Sequence, residues 1–266
     1  MSDVEADASD PGPSSTDVLA RQIRSGLNEL ERPADGLLLS ALSAGLDIGF
    51  GPLFMAAVLA LTAGVYDEAT RTLLVSNAYA LGFVFVVLGR SELFTEHTTL
   101  AVLPVLDRRS SVASLLRLWG LVYAGNLVGA TIFAVAMWWL APAYGIADAG
   151  VLVELARPLL DHGAFATFMG ALLAGWLMGL LSWLVAAADG TLARLAVVWL
   201  IAAAIGLAHL PHSIAGTVEV LAGVLVAHVE PFVFVRFLVV ATAGNAVGGV
   251  VFVALLKYGH VVRGGE

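Results

Sequence analysis

Residues 90–97 read Arg90-Ser91-Glu92-Leu93-Phe94-Thr95-Glu96-His97, inside an otherwise apolar run from residue 73 to residue 106. A charge at the centre of a membrane-spanning helix costs about 3 kcal/mol or more, so charge in such a run marks a function. Ser, Thr, Glu and Arg together also interrupt a helical pattern. The stretch therefore predicts a transmembrane helix broken at this point, with the break lining a polar path. The alternative is a structural cluster in which Arg90 pairs locally with Glu92 or Glu96.

Composition agrees with a membrane setting. The 266 residues have a mean hydropathy of +0.91, 59% are hydrophobic and 13% charged. Soluble domains carry about 25% charged residues and lack repeated apolar runs of 18 or more. Cysteine is absent, which excludes disulfides, thiolate metal sites and cysteine nucleophiles. The net charge of −8 says little about a substrate, because six acids precede residue 30. Thirteen scattered basic residues, one of them Lys, leave no nucleic-acid footprint. No metal-ligand spacing, cofactor motif or catalytic constellation stands out, so no enzyme is expected.

The expected organisation begins with a disordered acidic tail at residues 1–16. An amphipathic helix follows at 17–31, with Leu19, Ile23, Leu27 and Leu30 at helical spacing. An all-α domain of six transmembrane helices occupies 32–260, and 261–266 form a short tail. The spans fall near 37–64, 73–106, 112–140, 163–188, 192–227 and 231–257. A polar connection containing Pro142, Glu154 and Pro158 joins the third to the fourth. A crossing needs about 20 residues. The overlong second and fifth spans therefore read as broken helices, the fifth at His209-Leu210-Pro211-His212-Ser213. With both ends inside, nine basic residues lie on the cytoplasmic side and three outside, while Arg90 falls within the membrane.

The halves of the chain repeat. Gly125-Asn126-Leu127-Val128-Gly129 and Phe133 recur as Gly244-Asn245-Ala246-Val247-Gly248 and Phe252 at an offset of 119. Two of the chain's four Asn occupy the same slot. The offset sets Leu93 opposite His212, one in each break. Three spans separate the copies, so they run in opposite senses across the membrane. Such inverted 3+3 repeats with interrupted equivalent helices point to a permeation site at the midplane. Ser91 or Thr95 would cap the half-helix after the first break. His212 would hydrogen-bond or exchange a proton in the second. Asp47 and Glu219 are further intramembrane acids, each read as an ion partner for Arg90 or as an interhelical hydrogen-bonding group.

At these residues the chain resembles the formate/nitrite transporter family. The similar pieces are Glu92-Leu93-Phe94-Thr95, Gly125-Asn126-Leu127-Val128-Gly129, His212-Ser213-Ile214-Ala215 and Gly244-Asn245 with Gly248-Gly249, in order over roughly residues 37–260. The resemblance implies an aquaporin-like protomer with its own pore, assembled as a homopentamer in the cell membrane and passing small monovalent anions. It makes His212 the central histidine, Thr95 the hydroxyl that meets it and Asn245 an amide neighbour. Leu93 and Phe94 would form the inner constriction, and Tyr79, Phe83 and Ile205 the outer one. Arg90, Glu96, His97, Pro211 and Gly175 depart from the family's usual residues. A charge stripped of water by two apolar constrictions is costly, so passage would require neutralisation or compensation near His212. A pore for a neutral solute or a cation, with Glu96 and Asp47 on the path, is the alternative, and a non-transporting membrane protein a third reading.

Overall fold

A computed structural model describes residues 12–227 and 230–264, and every regular element among them is helical. Ser14 opens α1 (Ser15–Glu31) with a reciprocal capping box to Asp17. Helix therefore begins two residues before the expected end of the tail; the rest of that expectation, residues 1–11, lies outside the described residues, as do 265–266. The apolar face of α1 is buried through Val18, Leu19, Ile23 and Leu30. It packs on the bundle, with Gln22 Nε2 donating to the Ser182 carbonyl at 2.6 Å.

The first expected span is two helices, α2 (Ala34–Asp47) and α3 (Phe50–Thr62), joined at Ile48-Gly49. Asp67 caps α4 (Glu68–Gly89), which runs to the first break. Two short pieces, α5 (Phe94–Leu100) and α6 (Leu103–Leu106), complete that segment. The long α7 (Val112–Ala143) follows. The polar connection holds a helix, α8 (Ala149–Leu160), whose Leu152, Leu155, Ala156 and Leu159 are buried. Then come α9 (Ala164–Ala187), α10 (Thr191–Leu207), the second break and α11 (Ala215–Ala227). Finally α12 (Pro231–Gly249) passes through a π-helical stretch, Val250–Leu255, into α13 (Leu256–Gly264). The sequence carries no signal for that π turn.

Five helical stretches among the described residues are long and apolar enough to cross a membrane: Ala34–Thr62, Glu68–Gly89, Val112–Ala143, Ala164–Ala187 and Pro231–Gly264. The apolar helices α10 and α11 are shorter, and the second break lies between them. Two close helix pairs hold the centre, α2 on α7 and α9 on α12. Gly45 lets α2 approach the backbone of Asn126, and Gly175 lets α9 approach the backbone of Asn245. A Cβ at either glycine would overlap the Asn carbonyl oxygen. Gly175 thus fills the space its helix leaves and has no room for an amide side chain.

Candidate functional site

Both breaks are built the same way. Gly89 ends α4 with Arg90 in the left-handed region, φ 57°, and Ser91 N–H donates to the Val86 carbonyl at 3.0 Å. In the second break His209 is left-handed, φ 46°, and Leu210 N–H donates to the Ile205 carbonyl at 3.0 Å. Each of these residues stands 119 from its counterpart. The left-handed region is unfavourable for a side-chain-bearing residue by about 1 kcal/mol or more, so both turns depend on packing around them.

The two Asn side chains supply that support. Asn126 Oδ1 accepts from Phe94 N–H at 2.8 Å, while its Nδ2 donates to the carbonyls of Glu92 and Ala41 at 2.8 Å each. Asn245 Oδ1 accepts from Ser213 N–H at 2.8 Å, and its Nδ2 donates to Pro211 at 2.9 Å and Ala171 at 2.7 Å. Asn126 therefore brackets Leu93 as Asn245 brackets His212. One expectation is corrected, and another is made specific. Neither Ser91 nor Thr95 caps α5, whose first residue is held by Asn126 from α7. Asn245 touches the backbone on either side of His212 rather than its ring. The signal for Asn126 as a site residue was present in the repeat itself.

Thr95 and His212, 117 residues apart, meet at the centre with Thr95 Oγ1 and His212 Nε2 2.8 Å apart, both fully buried. Ala215 N–H donates to His212 Nδ1 at 3.1 Å. An acceptor at Nδ1 puts the proton of the neutral ring on Nε2. Nε2–H then donates to Thr95 Oγ1, and the Thr95 hydroxyl proton is left for another acceptor. Phe83 stands edge-on against the His212 ring, with centroids 5.1 Å apart, and Tyr79 lies against Phe83 at 5.1 Å. Ile205 is buried, and the neighbouring Gly206 abuts Tyr79. Leu93 is fully buried, and the Phe94 ring packs on Trp119 and Tyr123.

A cavity lies at each end of α4, whose 22 residues span about 33 Å. The larger, about 730 Å³, reaches Val87, Arg90, Glu92 and Glu96, with Arg21 and Glu29 from α1, Arg32 just after it and Arg194 from α10. The smaller, about 320 Å³, includes Arg71, Val75, Glu154, Arg157 and His209. Arg71, Val75, Tyr79, Phe83 and Val87 recur every four residues, so one stripe of α4 runs from one cavity past His212 to the other.

The charge cluster is arranged differently from the local pairing expected. Arg90 is exposed and has no ion pair or side-chain hydrogen bond among the described residues. Glu92 instead pairs with Arg32 at 2.7 Å and with His97 Nε2 at 2.5 Å. Arg32 also holds Glu29 at 2.7 Å. Burial raises the Glu29 carboxyl above its usual pKa, partly offset by Arg32. Asp47 accepts from Ser43 on its own helix at 3.1 Å, lines neither cavity and makes no pair with Arg90. Glu219 is buried without an ion pair among the described residues.

A bundle of long apolar helices with two interrupted segments meeting at a buried histidine is the architecture of a helical membrane transport protein. The chain matches the formate/nitrite transporter family profile over residues 16–259 and belongs to that family. It is 33% identical over 240 residues to inner membrane protein YfdC of Escherichia coli K12, covering 89% of this chain and 75% of the relative. A solved pentameric formate channel with formate bound superposes with a TM-score of 0.73 at 26% identity, over 86% of this chain and 98% of that one. An ion channel of the same family superposes with a TM-score of 0.79 at 24% identity, over 91% and 98%, and attests the fold.

Proposed function

We infer that this chain is a membrane channel or proton-coupled transporter for small monovalent anions of the formate and nitrite class. The observation that carries the reading is the Thr95–His212 contact, buried between two arginine-lined cavities and closed over by Phe83. An anion or its conjugate acid arriving there meets the Thr95 hydroxyl, whose oxygen is polarised by the His212 Nε2–H. Tyr79, Phe83 and Ile205 form the narrow part on one side, Leu93 and Phe94 on the other. Desolvation there disfavours a bare charge, so the hydrogen-bonding pair supplies what water gives up.

The domain is a six-span, inverted 3+3 repeat over residues 32–260. Four kinds of pair at the 119 offset support it: the two left-handed turns, the two Asn brackets, Leu93 with His212, and Tyr123 with Thr242. The last two residues touch each other, hydroxyl to hydroxyl at 2.7 Å, as residues beside a pseudo-twofold axis must. Contact between α1 and α13 supports both termini lying on one side, and the basic bias of that side makes it cytoplasmic. The assembly is a homopentamer in the cell membrane, a reading supported by the pentameric formate channel of like fold.

Stopped-flow uptake of formate and nitrite into proteoliposomes tests this. Wild type should conduct both, and His212→Phe should lower flux about tenfold or more; equal flux would sink the assigned role of His212. A cation or neutral-solute pore draws support from Glu96 in the larger cavity. Reversal potentials in a formate salt gradient separate the two, following the anion in one case and the cation in the other.

A further inference from the structure

The larger cavity contains three carboxylates and four guanidinium groups, and four of these seven already hold an ion pair. Glu92 and Glu29 share Arg32, and Glu92 also holds His97. Arg21 pairs with Asp189 at 3.3 Å. Arg194 gives its Nε to the Ala188 carbonyl at 3.3 Å and keeps its terminal nitrogens free of any carboxylate among the described residues. Among the described residues Arg90 has no partner, and Glu96 has neither an ion pair nor a hydrogen bond through its carboxyl. So Arg90, Arg194 and Glu96 face the same 730 Å³ space with their chemistry unused. Glu96 directly follows Thr95, the residue that touches His212.

His212 is poorly placed to give up a proton itself. Its Nδ1 faces an N–H donor, so it cannot also hold a proton without losing that bond. Releasing Nε2–H from the neutral ring would leave an imidazolate. A net proton for a passing anion must come from elsewhere. His97 is fully buried against Glu92 and does not line the cavity. We propose that Glu96 is the proton-exchange group of this cavity, transferring its proton to a monocarboxylate held by Arg90 and Arg194 before it enters the passage at Thr95. The proposal rests on the anion-transport reading above.

The step is a simple exchange. The Glu96 O–H bond breaks as an O–H bond forms on the substrate carboxylate, giving the neutral acid and ionised Glu96; a hydronium ion from the bulk solution then reprotonates Glu96 and leaves water. Donor and acceptor are both carboxyl groups, and the same surroundings move both proton affinities together, so transfer in either direction stays accessible. The charged and titratable groups facing Glu96 are Arg21 and Glu29 from α1, Arg32 just after it, Arg90 from the end of α4, Glu92 and His97 from the break and α5, and Arg194 from α10. The neutral acid then crosses the apolar stretch without the cost of a buried charge.

Formate uptake by the full-length protein in proteoliposomes, measured from pH 5 to 8 with an internal pH dye, decides it. Wild-type uptake should rise by up to about tenfold per pH unit as pH falls through the titration of one group. Glu96→Gln should assemble normally by size-exclusion chromatography yet show a flat pH profile, with Glu96→Asp restoring the slope. Arg90→Gln with Arg194→Gln should raise the formate KM about tenfold and keep the slope. A Glu96→Gln protein with the wild-type pH profile overturns the proposal. Should that variant not assemble, Glu96→His must move the midpoint, because an imidazole and a carboxyl respond oppositely to the same surroundings, and an unmoved midpoint overturns it equally. Absence of formate uptake by the wild type is a separate result, which refutes the anion reading itself.

Discussion

Thr95 and His212 meet only because two chain breaks, one in each half, are brought face to face. The chemistry of the contact turns on a third group, the Ala215 N–H, which assigns the ring proton to Nε2. Thr95→Val would leave the buried His212 Nε2–H without an acceptor, at a cost of about 1–3 kcal/mol. It should lower formate flux about tenfold or more, while Thr95→Ser keeps the oxygen and most of the flux; matched uptake assays compare the two. Both residues were readable from short motifs, since a hydroxyl and an imidazole inside apolar runs stand out. The partner of Glu92 was not. Arg90 is two positions away and Arg32 is sixty, yet Arg32 makes the bond, because Arg90 adopts the left-handed turn that ends α4 and its side chain is exposed.

The two Asn brackets give the breaks their shape. Each side chain makes two bonds to backbone groups that the interrupted helix leaves open and a third to a carbonyl of the helix packed beside it, at about 1 kcal/mol each. Asn126→Ala and Asn245→Ala should each destabilise the protein by about 3 kcal/mol or more, visible as lowered thermal midpoints in detergent. Their effects should be similar, because the bonding patterns are the same. At the far end of α4, Asp67 accepts from Thr70 N–H at 3.1 Å and Thr70 Oγ1 at 2.8 Å, and these bonds hold its carboxyl below the usual carboxylate pKa. Its folded value is depressed, so its support of the first turn is full above the unfolded value and fades as pH falls through the folded one. Hydrogen exchange at Thr70 N–H should therefore show loss of protection at acid pH, and Asp67→Asn should remove that dependence. The break positions follow from sequence, as polar and Pro residues inside apolar runs. The helical form of α8 and the joint between α2 and α3 do not: Pro158 is accommodated inside α8, and the run around Ile48-Gly49 is apolar enough to read as one span.

Large apolar side chains remain exposed along the outer faces of the bundle, among them Leu116, Ile132 and Trp139 on α7 and Phe165 and Leu173 on α9. Such surface is stable against lipid or against further copies of the chain. Light scattering of the detergent-solubilised protein should give five chains of 27.6 kDa, and a monomeric mass would refute the pentamer. Hydropathy, the two interruptions and the shared Asn motif already specify a membrane bundle with a repeat, because a bilayer leaves a polar backbone few options. The 119-residue offset already sets Leu93 opposite His212, one in each break. What the one-dimensional pattern leaves open is which polar groups meet. Glu92 with Arg32, Thr95 with His212 and the free Glu96 beside Arg90 and Arg194 depend on how α1, α5, α10 and α11 pack. Electrostatic and hydrogen-bond partners are chosen by distance in space, and spacing along the chain carries no record of that distance.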